Sequence, residues 1–316
     1  MSWWSIETSP TPPRIISIIQ ARMTSSRLPG KVLMDIAGQP MLARVVERAR
    51  RSQWASVTLV ATSQEPADDP IARFCDQRSI PCYRGSLYDV LDRYYQAASL
   101  YQAQVVVRLT ADCPLIDPQL IDQVIDAFYT WGSPNQRERS EMALQSSDGR
   151  EKLISPPNTA EPKWDFAANR LPPPWKRTYP IGLDVEVCTF SALERAWREA
   201  DQVYHREHVM PYLYDPQRSV HYSTLSNPAS IPDIPAGFFR VLQVDHHPDY
   251  GGYRWTVDTA EDLELIRQLY ARLGGTDMFG WLDVLHLFEA DPDLAKINAA
   301  VQHKTVQDTD PRSQAT

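Results

Sequence analysis

The chain has 316 residues, of which 43% are hydrophobic and 23% are charged, values typical of a globular protein with a sizeable core. Its formal net charge of −8 argues against a broad nucleic-acid-binding surface. Four scattered cysteines without a C-x-x-C pair disfavour a zinc site and a disulfide framework, and no signal peptide or apolar run long enough to span a membrane is visible. We therefore expect a cytoplasmic protein that binds neither nucleic acid nor a membrane.

Short apolar runs alternate with helical patterns through the first part of the chain. The β-branched run at 15–19 reads as a buried strand, and two similar runs follow at 57–61 and 105–107. Apolar residues at helical spacing predict helices at 40–49, 71–78, 89–101 and 118–129. Strands and helices that alternate at this spacing predict βαβ units and therefore an α/β fold with a central, mostly parallel sheet.

The alternation is interrupted at 133–163, where the sequence is polar and has no apolar periodicity. This composition predicts a flexible insertion. Beyond it we expect strands at 165–169, 183–187, 239–244 and 253–257, and helices at 191–200, 205–214, 261–273 and 281–289. We therefore expect one domain over 14–300, flanked by disordered tails at 1–13 and 301–316.

The loop that directly follows the first predicted strand carries three cations, Arg22, Arg27 and Lys31, interleaved with Ala, Ser, Pro and Gly. Loops at the carboxyl edge of a parallel sheet are where α/β proteins bind ligands. Fixed cations and closely approaching backbone N–H groups suit a polyphosphate, whose departing pyrophosphate carries growing negative charge. A solvated basic loop is the alternative, but the placement after a buried strand favours phosphate binding.

The segment 19–33 resembles the signature loop of the cytidylyltransferases that activate 3-deoxy-manno-octulosonate and acylneuraminate, and it is most similar to that of their relatives in spore-coat polysaccharide biosynthesis. Further similarities follow in the same order at 83–95, 107–116, 182–187, 206–209 and 254–262. The resemblance covers about 15–273. It implies a single Rossmann-like nucleotidyltransferase domain of the nucleotide-diphospho-sugar transferase type, which transfers CMP from CTP to a sugar or sugar-acid acceptor and releases pyrophosphate.

The resemblance also implies roles for individual residues. Arg22, Lys31 and Asp112 would be catalytic, and Asp112 and Asp258 would bind Mg²⁺. The expected nucleotide-binding residues lie in or beside the loop after the first strand: Ala21, Arg22, Ser26, Arg27, Gly30, Lys31 and Arg108. Each aspartate follows a predicted strand, so both carboxylates can meet at one edge of the sheet, and Mg²⁺ typically takes one or two carboxylates. The sequence pattern alone favours helix capping for both, with Glu261 three residues after Asp258.

Asp184 and Glu186 are the expected acceptor-binding residues, and outward-facing positions of an ordinary strand are the alternative. Two departures bear on the acceptor: Ala111 stands where many relatives have Gly, and the insertion at 133–163 has no counterpart in the compact family pattern. The expected partners are CTP and a sugar-type small molecule, with a homodimer left open. Two other functions are considered, a glycosyltransferase and a non-catalytic sugar-nucleotide-binding protein. The three-cation loop argues against the first, and the presence of Lys31, Asp112 and Asp258 against the second.

Overall fold

The computed structural model describes residues 12–132, 161–227 and 234–302. Within them lie ten strands: β1 Ile15–Gln20, β2 Asp35–Ile36, β3 Gln39–Pro40, β4 Val57–Ser63, β5 Cys82–Gly85, β6 Val105–Thr110, β7 Phe166–Ala168, β8 Glu186–Thr189, β9 Ser219–Ser223 and β10 Phe239–Gln243. Eight strands form one sheet in the order β5-β4-β1-β6-β8-β7-β10-β9, and β2 pairs with β3.

Helices cover both faces of this sheet. They are α1 Met41–Arg50, α2 Asp69–Gln77, α3 Val90–Leu100, α4 Pro118–Thr130, α5 Phe190–Glu199, α6 Val203–His208, α7 Ala260–Arg272 and α8 Trp281–Ala290. Among the described helices, none combines the length and the apolar character needed to cross a membrane.

Alternate side chains of the central strands pack into two hydrophobic cores, one on each face of the sheet. Ile15 and Ile19 of β1 pack into one core, whereas Ile16 and Ile18 pack into the other. A strand buried on both faces reads as a continuous apolar run, and this explains why β1 was readable from the sequence.

The predicted α/β fold with a mostly parallel sheet is confirmed. β8 runs antiparallel to both of its neighbours, β6 and β7, while the other ladders of the large sheet are parallel. This single reversal matters for the site. It places the beginning of β8, rather than its end, at the edge where the other strands have their carboxyl ends.

Several predicted elements differ from the structure. The predicted strand at 253–257 is wrong, because Arg254 makes only an isolated bridge with Ile181 and the backbone around it pairs with scattered partners rather than with a strand. The helix predicted at 205–214 ends at His208, and Val209 follows with a φ of 72°. The sequence patterns did not predict β2, β3, β5 or β9.

Most of the predicted insertion at 133–163 and most of both predicted tails lie outside the described residues. At the far end of the insertion, Lys163 donates to the carbonyl of Gly132 at 2.7 Å, and the indole of Trp164 donates to the carbonyl of Trp131 at 3.3 Å. The two ends of the segment are therefore close together in space.

Candidate active site

The loop after β1 is closed by its own backbone and held from one side by a buried carboxylate. The Gly30 N–H donates to the carbonyl of Met23 at 2.8 Å, and Gly30 adopts a φ of 74°, which a glycine reaches without strain. Asp68, which is fully buried just before α2, accepts from the Met23 N–H at 2.7 Å. Because Asp68 also accepts from Ser63 at the end of β4, it ties the loop to the sheet.

Lys31 follows this turn and points between two carboxylates. Its ammonium donates to Asp112 Oδ2 at 3.0 Å, to Asp258 Oδ1 at 3.0 Å and to the carbonyl of Val257 at 2.7 Å. Only 7% of Lys31 is exposed. Three acceptors satisfy the three donors of the ammonium, so the lysine is held in one orientation at the centre of the site.

The pKa values follow from this arrangement. Burial would lower the pKa of Lys31, but Asp112 and Asp258 outweigh it and raise the pKa. Burial would raise the pKa of Asp258, yet Lys31, Arg27 and Arg254 lower it to about 2. Lys31 and Asp258 therefore both carry charge at neutral pH.

Asp112 is positioned by its neighbours at the carboxyl end of β6. Its Oδ1 accepts from the Thr110 hydroxyl at 2.6 Å, and its carbonyl accepts from the Val257 N–H at 2.8 Å. The Thr256 hydroxyl donates to the same carbonyl at 3.1 Å. These bonds join the end of β6 to the loop that carries Asp258.

Asp258 lies in the irregular loop ahead of α7 and accepts from several cations. Arg27 Nη2 and Arg254 Nη2 each lie 2.8 Å from its Oδ2. The capping role suggested for Asp258 belongs to its neighbour: Thr259 is the N-cap of α7 and forms a capping box with Asp262. The Asp258 carboxylate is therefore directed to Lys31 and the arginines.

A cleft of about 240 Å³ opens over this cluster. Its lining includes most of the residues predicted to bind the nucleotide or the metal, namely Arg22, Ser26, Arg27, Lys31, Arg108, Asp112 and Asp258. Ala21 and Gly30 are not part of this lining. Their amides donate to the carbonyls of Ala61 and Met23, so both residues shape the loop and do not offer a donor to a ligand in this conformation.

A second pocket of about 160 Å³ adjoins the first and shares Arg108, Asp112 and Asp258 with it. Asp184 and Glu186 both line this pocket. Glu186 reaches it because β8 is antiparallel, and this orientation places its first residue opposite Arg108 of β6.

The two carboxylates that line only the second pocket, Asp184 and Glu186, already form ion pairs. Arg108 donates to Glu186, and Arg177 donates to Asp184 through both terminal nitrogens. Arg170 also lines the pocket. Burial would lower the pKa of Arg170, but Asp184 and Glu186 outweigh it and raise the pKa, so its guanidinium stays charged. Arg170 and Arg177 were not predicted from the sequence.

The carboxylate oxygens around Lys31 are ligands of the kind that a hard divalent cation prefers. Asp112 and Asp258 offer carboxylate oxygens on either side of one ammonium, so the space between them already holds positive charge. Within the described residues, no group of three or more His, Cys, Asp or Glu side chains could hold a metal ion. A metal at this place would therefore have two protein carboxylates and would complete its shell with ligand and water oxygens, as Mg²⁺ commonly does.

Comparison with known proteins matches the chain to a family model described as cytidylyltransferase over residues 16–272. The chain belongs to the cytidylyltransferase family. It is 30% identical over 302 residues to an uncharacterized protein of Methanocaldococcus jannaschii, covering 94% of this chain and 99% of that protein. It is 28% identical over 285 residues to the spore coat polysaccharide biosynthesis protein SpsF of Bacillus subtilis, covering 89% of this chain and 96% of SpsF.

Two further similarities agree with this assignment. The 3-deoxy-manno-octulosonate cytidylyltransferase of Idiomarina loihiensis is 33% identical over 203 residues, which cover 62% of this chain and 73% of that enzyme. The structure of a cytidylyltransferase from Leptospira borgpetersenii aligns with a TM-score of 0.69 and 26% identity, over 92% of this chain and all of that one. The family resemblance read from the sequence is thus confirmed, and the members of this family are nucleotidyltransferases.

The cytidylyltransferase match contains the whole cluster from the loop after β1 to Asp262, but it ends at residue 272. The segment 281–302, which begins with α8, lies beyond it. Several supporting residues of the site escaped sequence reasoning: Asp68, Arg254, Asp262 and Asn298. Arg254 and Asp262 lie within the similar stretch 254–262 but were given no role, although Thr259 precedes Asp262 by three residues, the spacing of a capping box.

Proposed function

We propose that this cytidylyltransferase transfers CMP from CTP to a sugar-type acceptor and releases pyrophosphate, in the biosynthesis of a surface polysaccharide or glycoconjugate. The observation that carries the proposal is Lys31, held between Asp112 and Asp258 on the floor of a cleft whose loop presents Arg22 and Arg27. Cations placed beside carboxylates in this way suit a metal-bound triphosphate.

The proposed reaction is a direct displacement at the α-phosphorus. The oxygen of an acceptor hydroxyl bonds to that phosphorus and gives up its proton to water, while the bond from the phosphorus to the bridging oxygen of pyrophosphate breaks. Negative charge then collects on the departing pyrophosphate, and Arg22, Arg27 and Lys31 neutralise it from positions fixed before the reaction. The site aligns the reactants and needs no covalent intermediate with the protein.

In this proposal Asp112 and Asp258 hold Mg²⁺. When bound, the ion withdraws charge from the triphosphate oxygens. The protein prepares the two carboxylates for it, because Thr110 orients Asp112 and Arg254 orients Asp258. Lys31 lowers the pKa of Asp258 and, by donating to both carboxylates, holds them close together.

We further propose that the acceptor occupies the second pocket and carries a negative charge. Arg170 supports this idea: its guanidinium lines the pocket, and Asp184 and Glu186 keep it charged. A sugar acid could satisfy Arg170 with its carboxylate, while Asp184 and Glu186 could accept from sugar hydroxyls. The charge of Arg170 thus favours a sugar acid over a neutral sugar.

The test is pyrophosphate release from each of the four nucleoside triphosphates with a panel of sugar acids and matched sugar alcohols. We expect release that depends on CTP, Mg²⁺ and a sugar acid together, and loss of this activity in Asp258→Asn. Transfer from a sugar nucleotide without pyrophosphate release would instead indicate a glycosyltransferase. Retained binding of a sugar nucleotide with no turnover on any donor would indicate a non-catalytic binding protein.

We also propose a cytoplasmic location, since CTP is made and used there, and a homodimer as the assembly. Cell fractionation and light scattering of the purified chain test these two points directly. Recovery in a membrane or extracellular fraction, or a monomer at working concentration, would contradict them.

A further inference from the structure

The loop that carries Asp258 receives little support from the sheet. Between Tyr253 and Asp258 the backbone forms no ladder, and its hydrogen bonds go to separate partners. The Trp255 N–H donates to the carbonyl of Ile181, and the Val257 N–H donates to that of Asp112. A loop bonded in this way is more easily displaced than a strand, so its position depends on what packs against it.

The segment 281–302, beyond the family match, packs against this loop. The ring of Phe288 in α8 lies 5.1 Å from that of Tyr253 and 5.7 Å from that of Trp255, measured between centroids. Tyr253 and Trp255 flank Arg254, which binds Asp258. The segment thus packs against the loop through aromatic contacts with the residues on either side of that arginine.

Asn298 adds hydrogen bonds at the same place. Its Nδ2 donates to the carbonyl of Arg254 at 3.0 Å and to Asp262 Oδ1 at 2.9 Å. Both donors of the amide are therefore used, and Asn298 is buried. Further on, the carbonyl of Gln302 accepts from Arg27 Nη1 at 3.2 Å, and this arginine also binds Asp258.

Both hydrogen-bond partners of Asn298 contact Asp258 directly. Asp262, which is fully buried, accepts from the Asp258 N–H at 2.9 Å and from Arg254 Nη2 at 2.9 Å. Arg254 Nη2 in turn lies 2.8 Å from Asp258 Oδ2. Asn298 therefore orients two groups that together fix the backbone and the carboxylate of Asp258.

We propose that Asn298 is a positioning residue for Asp258, acting beside the ring contacts that Phe288 makes with the same loop. The inference rests on the proposed function, in which Asp258 binds Mg²⁺. Groups that orient metal ligands commonly change metal affinity or activity by about 10- to 100-fold when they are removed. The predicted consequence is specific to the metal, because Asn298 does not line the nucleotide cleft.

The experiment compares Asn298→Leu with the parent and with Val284→Ala. Leucine has a similar size but cannot donate to Arg254 or Asp262. We expect the Mg²⁺ concentration for half-maximal activity to rise about 10-fold, and kcat to fall, while KM for CTP at saturating Mg²⁺ stays near the parent value. Val284 is a buried apolar residue of α8, so its truncation removes packing volume but none of the hydrogen bonds of Asn298. The control should keep the parental Mg²⁺ requirement.

A second readout is independent of turnover. Hydrogen exchange of the peptide 253–262, measured without nucleotide or metal, should become several-fold faster in Asn298→Leu and stay near the parent rate in Val284→Ala. If Asn298→Leu does not fold, Phe288→Leu takes its place, because it removes the ring contacts with Tyr253 and Trp255 and should also raise the Mg²⁺ requirement.

Parental exchange and parental Mg²⁺ dependence in Asn298→Leu would overturn the inference, as would an equal change in Val284→Ala. Failure of the proposed function has a different signature. In that case Asp258→Asn would itself keep full activity and metal dependence, whatever the exchange rates of the other variants.

Discussion

The replacement Lys31→Met tests the centre of the site, because methionine retains the apolar stem but removes the ammonium. In the parent, this ammonium lies 3.0 Å from one oxygen of Asp112 and 3.0 Å from one oxygen of Asp258. In the variant the two carboxylates face each other without their shared cation. The carbonyl of Val257 also loses its donor.

The loss of stability can be estimated from the burial of the three groups. At an effective dielectric constant near 20, each pair at this distance attracts by roughly 5 kcal/mol, but desolvation offsets much of that. Removing one partner of a buried pair costs about 3–5 kcal/mol. We expect about 3 kcal/mol, because the Asp112 side chain is 28% exposed and Asp258 keeps Arg27 and Arg254. For a chain of this size the melting temperature should fall by about 6 °C.

Mg²⁺ should restore part of this loss without any nucleotide. With the ammonium gone, the carboxylates of Asp112 and Asp258 can take a metal ion in its place. Mg²⁺ at about ten times its Kd would return about 1.4 kcal/mol, or about 3 °C, whereas without nucleotide the parent should respond much less, because Lys31 already pairs with both carboxylates. Turnover should fall about 10²- to 10³-fold, the usual cost of losing one preorganised charge-stabilising group.

The assay is thermal unfolding of the parent, Lys31→Met and Lys31→Met/Asp112→Asn over a range of Mg²⁺ concentrations, with pyrophosphate release measured in parallel. The double variant is the matched control, since it keeps only one of the two carboxylates. A melting temperature of Lys31→Met that does not respond to Mg²⁺, or a response of equal size in the double variant, would refute the carboxylate pair as a cation site. Parental turnover in Lys31→Met would remove the lysine from the chemistry.

Three other predictions concern pH and the backbone. Burial raises the pKa of Asp258, but its neighbours, Lys31 foremost, lower it to about 2 from 3.8, so its stabilising effect is complete above about pH 4 and lost as the pH falls towards 2. Asp258→Asn should therefore flatten the fall of melting temperature over that range, and an unchanged fall would contradict it. Gly182 has a φ of 105°, and a Cβ added there would lie 2.5 Å from a backbone nitrogen, so Gly182→Ala should lower the melting temperature and the activity. The control is Gly252→Ala, which should change neither, because an added Cβ would meet nothing within 4 Å. Burial lowers the pKa of His221 to about 4, so its ring signals in an NMR titration should stay constant down to about pH 5, and a midpoint near 6.5 would contradict this.

Much of the first half of the fold was readable because its signals are local. The apolar run that became β1 is buried, as its pattern predicts. The apolar side chains of α1 are buried too, and Arg44 and Arg48 are buried with them. The orientation of β8 could not be read in this way. It depends on where the chain returns after the long segment that follows α4, and a short strand has the same side-chain pattern in either direction.

The predicted strand at 253–257 failed for a related reason. Its alternating apolar residues do face the interior, since Trp255 and Val257 are fully buried. However, alternation records which side chains are buried, not whether the backbone has a neighbouring strand. Here the position beside the loop is taken by the turn at Ile181 and by the end of β6.

For the site, the sequence located the charged residues but not their arrangement. On pattern alone Asp112 and Asp258 looked like capping residues, and the family resemblance was what indicated metal binding. The contacts of Asn298 could not be predicted from the sequence, because they join residues 36 positions apart, to Asp262, and 44 positions apart, to Arg254. Such contacts leave no periodic signal in the sequence.

The net charge of the whole chain and that of the cleft lining have opposite signs, and this difference bears on function. The chain carries −8, yet the described lining of the cleft has a surplus of basic side chains. The basic members are Arg22, Arg27, Lys31 and Arg108, and the acidic members are Asp112 and Asp258. A site for an anion alone would gain nothing from two carboxylates at its floor, since they would repel the ligand. Carboxylates become useful when the anion arrives together with a cation, which supports the proposal that the cleft binds a triphosphate as its Mg²⁺ complex.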